Sequence, residues 1–175
     1  ASFEGVYLFQ PQAGSDTFNN EHMGVGDQSP RPKQGSSEVG LGQLESGRFI
    51  ATIEPWHGTQ VVVYTPESPN RYTWTRTAID NQFKDGHGLV CADLDRDGDD
   101  EIIAGHRGAP YGLFVYRYMP ASQTWDKSTL DAGGIAVAGL VAADLNGDGY
   151  ADIIATGTGT NNVVWYENLG DTARK

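Results

Sequence analysis

Val90-Cys-Ala-Asp-Leu-Asp-Arg-Asp-Gly-Asp-Asp-Glu-Ile-Ile-Ala-Gly105 returns 51 residues later as Val141-Ala-Ala-Asp-Leu-Asn-Gly-Asp-Gly-Tyr-Ala-Asp-Ile-Ile-Ala-Thr156. Internal repeats of this length decide the architecture before any local propensity does. Trp74 and Trp125 are also 51 apart, in Trp74-Thr-Arg-Thr-Ala-Ile-Asp80 and Trp125-Asp-Lys-Ser-Thr-Leu-Asp131. A third series, Val61-Val-Val-Tyr64, Leu113-Phe-Val-Tyr116 and Val163-Val-Trp-Tyr166, steps by 52 and then 50. Leu41-Gly-Gln-Leu-Glu-Ser-Gly-Arg-Phe-Ile-Ala-Thr52 is a shorter, degenerate copy, and Val6-Tyr-Leu-Phe9 adds one more member to the tyrosine series.

Each unit reads as four short strands; in the second these are 87–94, 101–105, 112–118 and 124–130. Four strands per ~50 residues are the signature of a β-propeller blade, and no stretch has the 3.6-residue periodicity of a helix. The fold expected is therefore all-β, a propeller segment of four-stranded blades. Repeat units fall at 1–36 (partial), 37–86, 87–137 and 138–175 of a single domain. Asn19–Ser37, rich in Gly, Pro and polar residues, reads as an extended loop. With 175 residues there is room for about three and a half blades, short of the ~4–8 that close a ring. The expectation is an incomplete ring, continued by blades of a longer chain or completed by association of copies.

The charge is concentrated. Asp and Glu total 23 against 12 Lys and Arg, a formal net charge of −11. Residues 93–101 account for −5 of it and residues 144–152 for −3. Nucleic acid and anionic membrane surfaces are poor partners for such a chain, which has no basic patch. No apolar run reaches the ~18 residues of a membrane helix. The first residues, Ala1-Ser-Phe-Glu-Gly-Val-Tyr-Leu-Phe9, lack the basic start of a signal peptide, and the setting expected is nevertheless extracellular. A single cysteine, Cys91, excludes an intrachain disulfide and, in its apolar run, reads as an inert buried thiol.

Asp93, Asp95, Asp97 and Glu101 place oxygen donors at alternate positions of a turn, with Gly98 supplying the unusual backbone angle. Asp144, Asn146, Asp148 and Asp152 repeat the arrangement around Gly149. Hard divalent cations, Ca²⁺ or Mg²⁺, are held by such oxygen sets. An EF-hand is excluded, because its twelfth position would be Ala104 or Ala155. The competing reading is a solvated acidic hairpin, in which Asp and Gly merely favour the turn. In the degenerate copy Gln43, Glu45 and Gly47 are expected to bind nothing.

These loops resemble those of FG-GAP/VCBS repeat propellers, whose blades carry Asp-x-Asp-x-Asp-Gly-x-x-Asp between the first two strands. The likeness runs over roughly residues 38–169. Pro55-Trp-His-Gly-Thr-Gln-Val-Val-Val-Tyr64 and His87-Gly-Leu-Val-Cys-Ala-Asp-Leu-Asp95 are similar, more narrowly, to the propeller of aldos-2-ulose dehydratases. Those fungal enzymes dehydrate anhydrofructose and related sugars with divalent metals, and carry cupin-type domains that this chain has no room for. What the resemblance implies is a metal-dependent carbohydrate lyase, with a carbohydrate or small polar ligand as partner.

Opposite the acidic loops, His57, His87 and His106 are expected on one rim, with Glu54 and Arg107 nearby. Ala138 and Gly157 stand where the next blade would have His87 and His106, so the scaffold closes without them. Three imidazoles with an open position would suit Zn²⁺ and a sugar carbonyl. They would equally suit loop capping. His22 lies within reach of the same rim. Trp56 reads as a sugar-stacking or packing residue, and Arg107 as a ligand anchor or one half of a salt bridge. A non-catalytic, lectin-like or adhesive propeller with structural calcium is the second reading, and an inactive structural fragment the third. No Ser/His/Asp signature, phosphate loop or nucleotide fingerprint occurs.

Overall fold

The computed structural model describes residues 3–67 and 73–170. Among these residues lie thirteen strands and no α-helix, in four antiparallel sheets. β1 (Val6–Pro11) and β2 (Phe18–Gly24) form a hairpin. β3 (Val39–Leu44), β4 (Gly47–Glu54), β5 (Gln60–Pro66) and β6 (Trp74–Asp80) make a four-stranded meander. So do β7 (Gly86–Ala92), β8 (Glu101–His106), β9 (Gly112–Met119) and β10 (Thr124–Asp131). β11 (Val137–Ala143), β12 (Asp152–Gly157) and β13 (Asn162–Tyr166) form a three-stranded sheet. β7 runs beside β3 on one side and β11 on the other, so the first strands of successive sheets stand together while later strands lie farther out. This is a partial propeller of four-stranded blades.

β8, the second strand of the central blade, buries both faces, which is why Glu101-Ile-Ile-Ala104 does not alternate apolar with polar. Ile102 and Ala104 pack towards the preceding sheet, with Phe49, Ala51, Ile53, Val61, Val63 and Tyr116. Ile103 points the other way and packs with Leu113, Ile135, Val137, Ile153 and Ala155. Each such isoleucine stabilises by about 2 kcal/mol through burial alone. Cys91 joins the first of these layers, and burial, aided by Asp100, pushes its thiol up to about 12, so it stays protonated.

Buried carboxylates tie the sheets together. Tyr116 Oη donates to Asp80 Oδ2 at 2.6 Å, and Tyr166 Oη to Asp131 Oδ2 at 2.7 Å. In both pairs the aspartate ends the fourth strand of one sheet and the tyrosine sits on the third strand of the next. Glu54 is fully buried and is bonded within its own sheet rather than placed on the rim where the sequence put it. Its Oε1 accepts from Ser36, Thr52 and Tyr64, and its Oε2 from Arg76 Nε at 2.8 Å. As the last residue of β4 it turns inward, away from the loop that carries His57.

The loop expected over Asn19–Ser37 begins later than its composition indicates. Residues as far as Gly24 form β2, paired to β1 in the register Phe9↔Asn20 and Tyr7↔His22. Met23 alone of its side chains packs against the Val62–Tyr64 layer. A strand whose remaining side chains are largely exposed, Phe18 among them, has no alternation to read.

Candidate metal centre and histidine rim

At the rim, the structure brings together two of the three histidines. His57 follows β4 and His87 lies in β7, their ring centroids 4.8 Å apart. Trp56 stacks on His57 at 5.0 Å and 19°, and Phe3 lies 5.6 Å beyond Trp56. Arg107, just after β8, donates to His57 Nδ1 at 3.2 Å and is itself held by Asp85, with Nε 2.8 Å from Oδ2. Arg107 is thus both a salt-bridge partner and a neighbour of the imidazole. His87 Nδ1 lies 3.1 Å from the Ala138 carbonyl oxygen, across to the next sheet. Burial, together with the nearby His87 and Arg107, lowers the pKa of His57. Glu38 is raised by burial, against the attraction of His87.

His106 is elsewhere. It shares the pleat face of Ile102 and Ala104, is only 5% exposed, and packs on Phe83 and Phe114 at 5.1 and 5.9 Å. Its Nδ1 meets the Gly108 carbonyl at 3.0 Å, and burial outweighs that bond to lower its pKa. Among the described residues, the one group of three His, Cys, Asp or Glu ligand atoms within 4.8 Å contains no histidine. His22 shares none of the contacts described for the rim histidines. It hydrogen-bonds the Glu4 carbonyl at 2.8 Å and stacks on Tyr7.

The acidic loops lie at the opposite end of the sheets. Asp93, Asp95 and Glu101 are the convergent group, their ligand atoms all within 4.8 Å of one another. Asp93 accepts the backbone N–H groups of Arg96 and Gly98, at 2.7 and 3.1 Å, which wraps the turn around it. Asp97 accepts from Asp99 N at 2.8 Å and lies outside the convergent three. Glu101 is 1% exposed; its Oε2 takes Leu94 N at 2.9 Å and its Oε1 takes Arg117 Nε at 3.2 Å. Burial, with Asp95 adding repulsion, pushes its carboxyl up to about 7 despite the Leu94 and Arg117 contacts. Asp95 Oδ2 pairs with Arg117 at 3.0 Å, whereas Asp95 Oδ1 is buried without a partner. An orphaned carboxylate oxygen beside two further carboxylates, one of them protonation-prone, is the donor set a hard cation completes. Here the residues fit the ion.

Residues 93–155 match the FG-GAP-like repeat family. The chain is also similar to aldos-2-ulose dehydratase of Phanerodontia chrysosporium, 34% identical over 127 residues. That match covers 59% of this chain and 14% of the relative.

The second acidic loop is closed by its own backbone. Asp144 accepts Gly147 N and Gly149 N at 2.7 and 2.8 Å, Asn146 Oδ1 accepts Asp148 N at 3.0 Å, and Asp148 accepts Tyr150 N at 2.8 Å. Asp152 accepts Asn168 N and Leu145 N, and those bonds hold its carboxyl below the usual range. Where the first loop sets Arg117 beside Asp95, the second sets Glu167 beside Asn146, at 3.0 Å from Nδ2.

Several residues that sequence reasoning missed organise these loops. Arg96, left-handed at φ 65°, occupies the position of Gly147, at φ 80°. It crosses to the second loop, donating Nε to the Gly149 carbonyl at 3.0 Å with its guanidinium 4.0 Å over the Tyr150 ring. Asp99 and Asp100 reach the other way and accept the backbone N–H groups of Glu45 and Gln43 at 2.5 and 2.7 Å. Their place in the acidic run therefore reflects inter-sheet bonding as well as any ion. Departure from the repeat was the available signal: Arg for Gly at position 96, and Asp99-Asp100 for Tyr150-Ala151.

Proposed function

We propose that the chain is a divalent-cation-binding propeller segment of a carbohydrate-active lyase that dehydrates a keto-sugar. The observation that carries the reading is the rim pair His57 and His87, gathered with Trp56 and Arg107 at positions where the scaffold has no need of imidazole. Ala138 in the next copy marks that freedom. The relative's name, a dehydratase of aldos-2-uloses, supplies the substrate class. Ca²⁺ or Mg²⁺ would sit on Asp93, Asp95 and Glu101, with Asp97 close by, and a second ion on Asp144, Asn146, Asp148 and Asp152. Those ions neutralise the turns and fix the loops between first and second strands. An extracellular setting suits calcium loops of modest affinity, ~0.1–1 mM. The carbohydrate itself would lie at the rim, with its ring on Trp56 and its oxygens facing the imidazoles of His57 and His87; His106, packed on Phe83 and Phe114, stands apart from it. Zn²⁺ does not fit the rim as a three-histidine centre, because His106 faces Phe83.

The exposed face of the last sheet supports continuation of the ring. Val141, Val163 and Trp165 are 57%, 70% and 47% exposed, and their repeat equivalents Val90, Leu113 and Val115 pack in the layer against the next sheet. A further blade, from a longer chain or a second copy, is the partner proposed for it.

Incubation of the calcium-loaded protein with an aldos-2-ulose should yield an unsaturated, ultraviolet-absorbing product, and His57→Ala with His87→Ala should abolish it. Full activity in that double variant overturns the rim assignment. Saturable binding of the sugar without product would instead establish the second reading, a carbohydrate-binding propeller with structural calcium.

A further inference from the structure

We infer that the rim holds His57 and His87 in opposite tautomers, so that together they present one N–H donor and one lone-pair acceptor to a ligand carrying a carbonyl oxygen next to a hydroxyl. The inference deepens the lyase reading and rests on it for the use of the site, though not for its geometry.

The assignment follows from what each Nδ1 faces. A guanidinium only donates, so the Arg107 contact at 3.2 Å requires a bare Nδ1 on His57 and places its proton on Nε2. Asp85 does not reverse this. Its Oδ1 is 3.7 Å from His57 Nδ1, beyond hydrogen-bond range, while its Oδ2 is spent on Arg107 at 2.8 Å. A backbone carbonyl only accepts, so the Ala138 contact at 3.1 Å requires the proton on Nδ1 of His87 and leaves its Nε2 bare. The lowered pKa of His57 keeps that ring neutral, the condition under which a tautomer exists at all.

The chain spends backbone energy on the arrangement. His57 and Asp85 both occupy the left-handed region, at φ 51° and 58°, where a non-glycine residue is strained by ~1–2 kcal/mol. These two residues are the partners that clamp Arg107 between them. Beside the pair, Trp56 stacked on His57 extends the rim as an apolar shelf.

With ring centroids 4.8 Å apart, the two Nε2 atoms of opposite polarity would meet two adjacent oxygens of opposite polarity on one ligand. His57 Nε2–H serves the carbonyl oxygen and His87 Nε2 receives the hydroxyl hydrogen. An α-hydroxy ketone meets both requirements with an oxygen facing the donor that can only accept, a polyol meets them only by turning one hydroxyl hydrogen away from the donor, and a metal ion would need lone pairs from both rings. Arg107 is in these terms a positioning residue. It acts on the ligand only through the imidazole that it polarises.

Long-range proton–nitrogen NMR of the ¹⁵N-labelled chain reads each imidazole directly. The expected spectrum has His57 protonated at Nε2 and His87 at Nδ1, with Arg107→Ala converting His57 to a mixture of both forms. Dihydroxyacetone should shift both rings, with about tenfold weaker binding in Arg107→Ala and about tenfold weaker still for glycerol in the native chain. The same tautomer in both rings of the native chain overturns the inference, as does stoichiometric Zn²⁺ capturing both Nε2 atoms. The wild-type spectrum decides this even if Arg107→Ala does not fold. Opposite tautomers without sugar dehydration would sink the lyase reading and leave this one standing.

Discussion

Glu101 sits where the repeat places an acid next to a strand, and the sheet then removes it from water. Its carboxyl, ordinarily at 4.5, is pushed up to about 7 by burial. In the folded, ion-free chain it therefore keeps a proton through a window in which the unfolded chain has lost it, so stability must fall as pH rises through that window. Glu101→Gln removes the titration while keeping an oxygen for the Leu94 N–H. Urea denaturation in the presence of a chelator should show the native chain losing up to ~3 kcal/mol relative to Glu101→Gln between pH 4.5 and 7. Calcium should restore the native chain alone. Parallel pH profiles for the two proteins would refute the account. The acid itself was legible in the sequence, because its spacing from Asp93 is local. Arg117, which pairs with both Glu101 and Asp95, was not: it arrives from the third strand and meets them only when the sheet forms.

Glycines inside strands report how closely one sheet approaches the next. A Cβ on Gly105 of β8 would lie 2.5 Å from Val137 Cγ2, and one on Gly40 of β3 would lie 2.7 Å from Leu89 Cδ2. Gly105→Ala should thus destabilise the chain by ~1–3 kcal/mol through overpacking, and adding Val137→Ala should recover part of that loss. Thermal unfolding of the single and double variants measures it; a neutral single variant would show that the sheets have slack. At this scale the sequence was a good guide to the central blade, whose four expected strands agree with β7 to β10 to within two residues at each end. β2 escaped notice because only Met23 of its side chains packs on the neighbouring layer. The packing role of these glycines is not legible in the sequence, since nothing local distinguishes a glycine that ends a strand from one that admits a neighbour.

The whole molecule is an open arc with unequal ends. Its last sheet offers Val141, Val163 and Trp165 to solvent, the face that its repeat equivalents bury. Such a surface on an isolated chain favours association. Light scattering over a concentration series should find the native chain self-associating, and Val163→Asp with Trp165→Asp should shift it towards monomer. A native chain that stays monomeric throughout would argue that this face is satisfied otherwise.

The sequence by itself determined the period, the four-strand unit, the position of every loop acid and the irregularity of the histidines. All of these are carried by local alternation and by the comparison of one copy with the next. Only the tertiary structure decided which histidines meet. His57 and His87 converge because one lies on a loop and the other at a break in strand register, whereas His106 follows the pleat of Ile102 and Ala104 into the layer beneath Phe83. It also decided that Arg96 leaves its own loop for the next one, and that Glu54 is buried among Ser36, Tyr64 and Arg76. The histidine and Arg96 outcomes depend on distances between different repeats, whereas that of Glu54 depends on how β4, β5 and β6 of its own sheet come together. Those distances are set by how sheets stack, and a one-dimensional repeat does not encode them residue by residue.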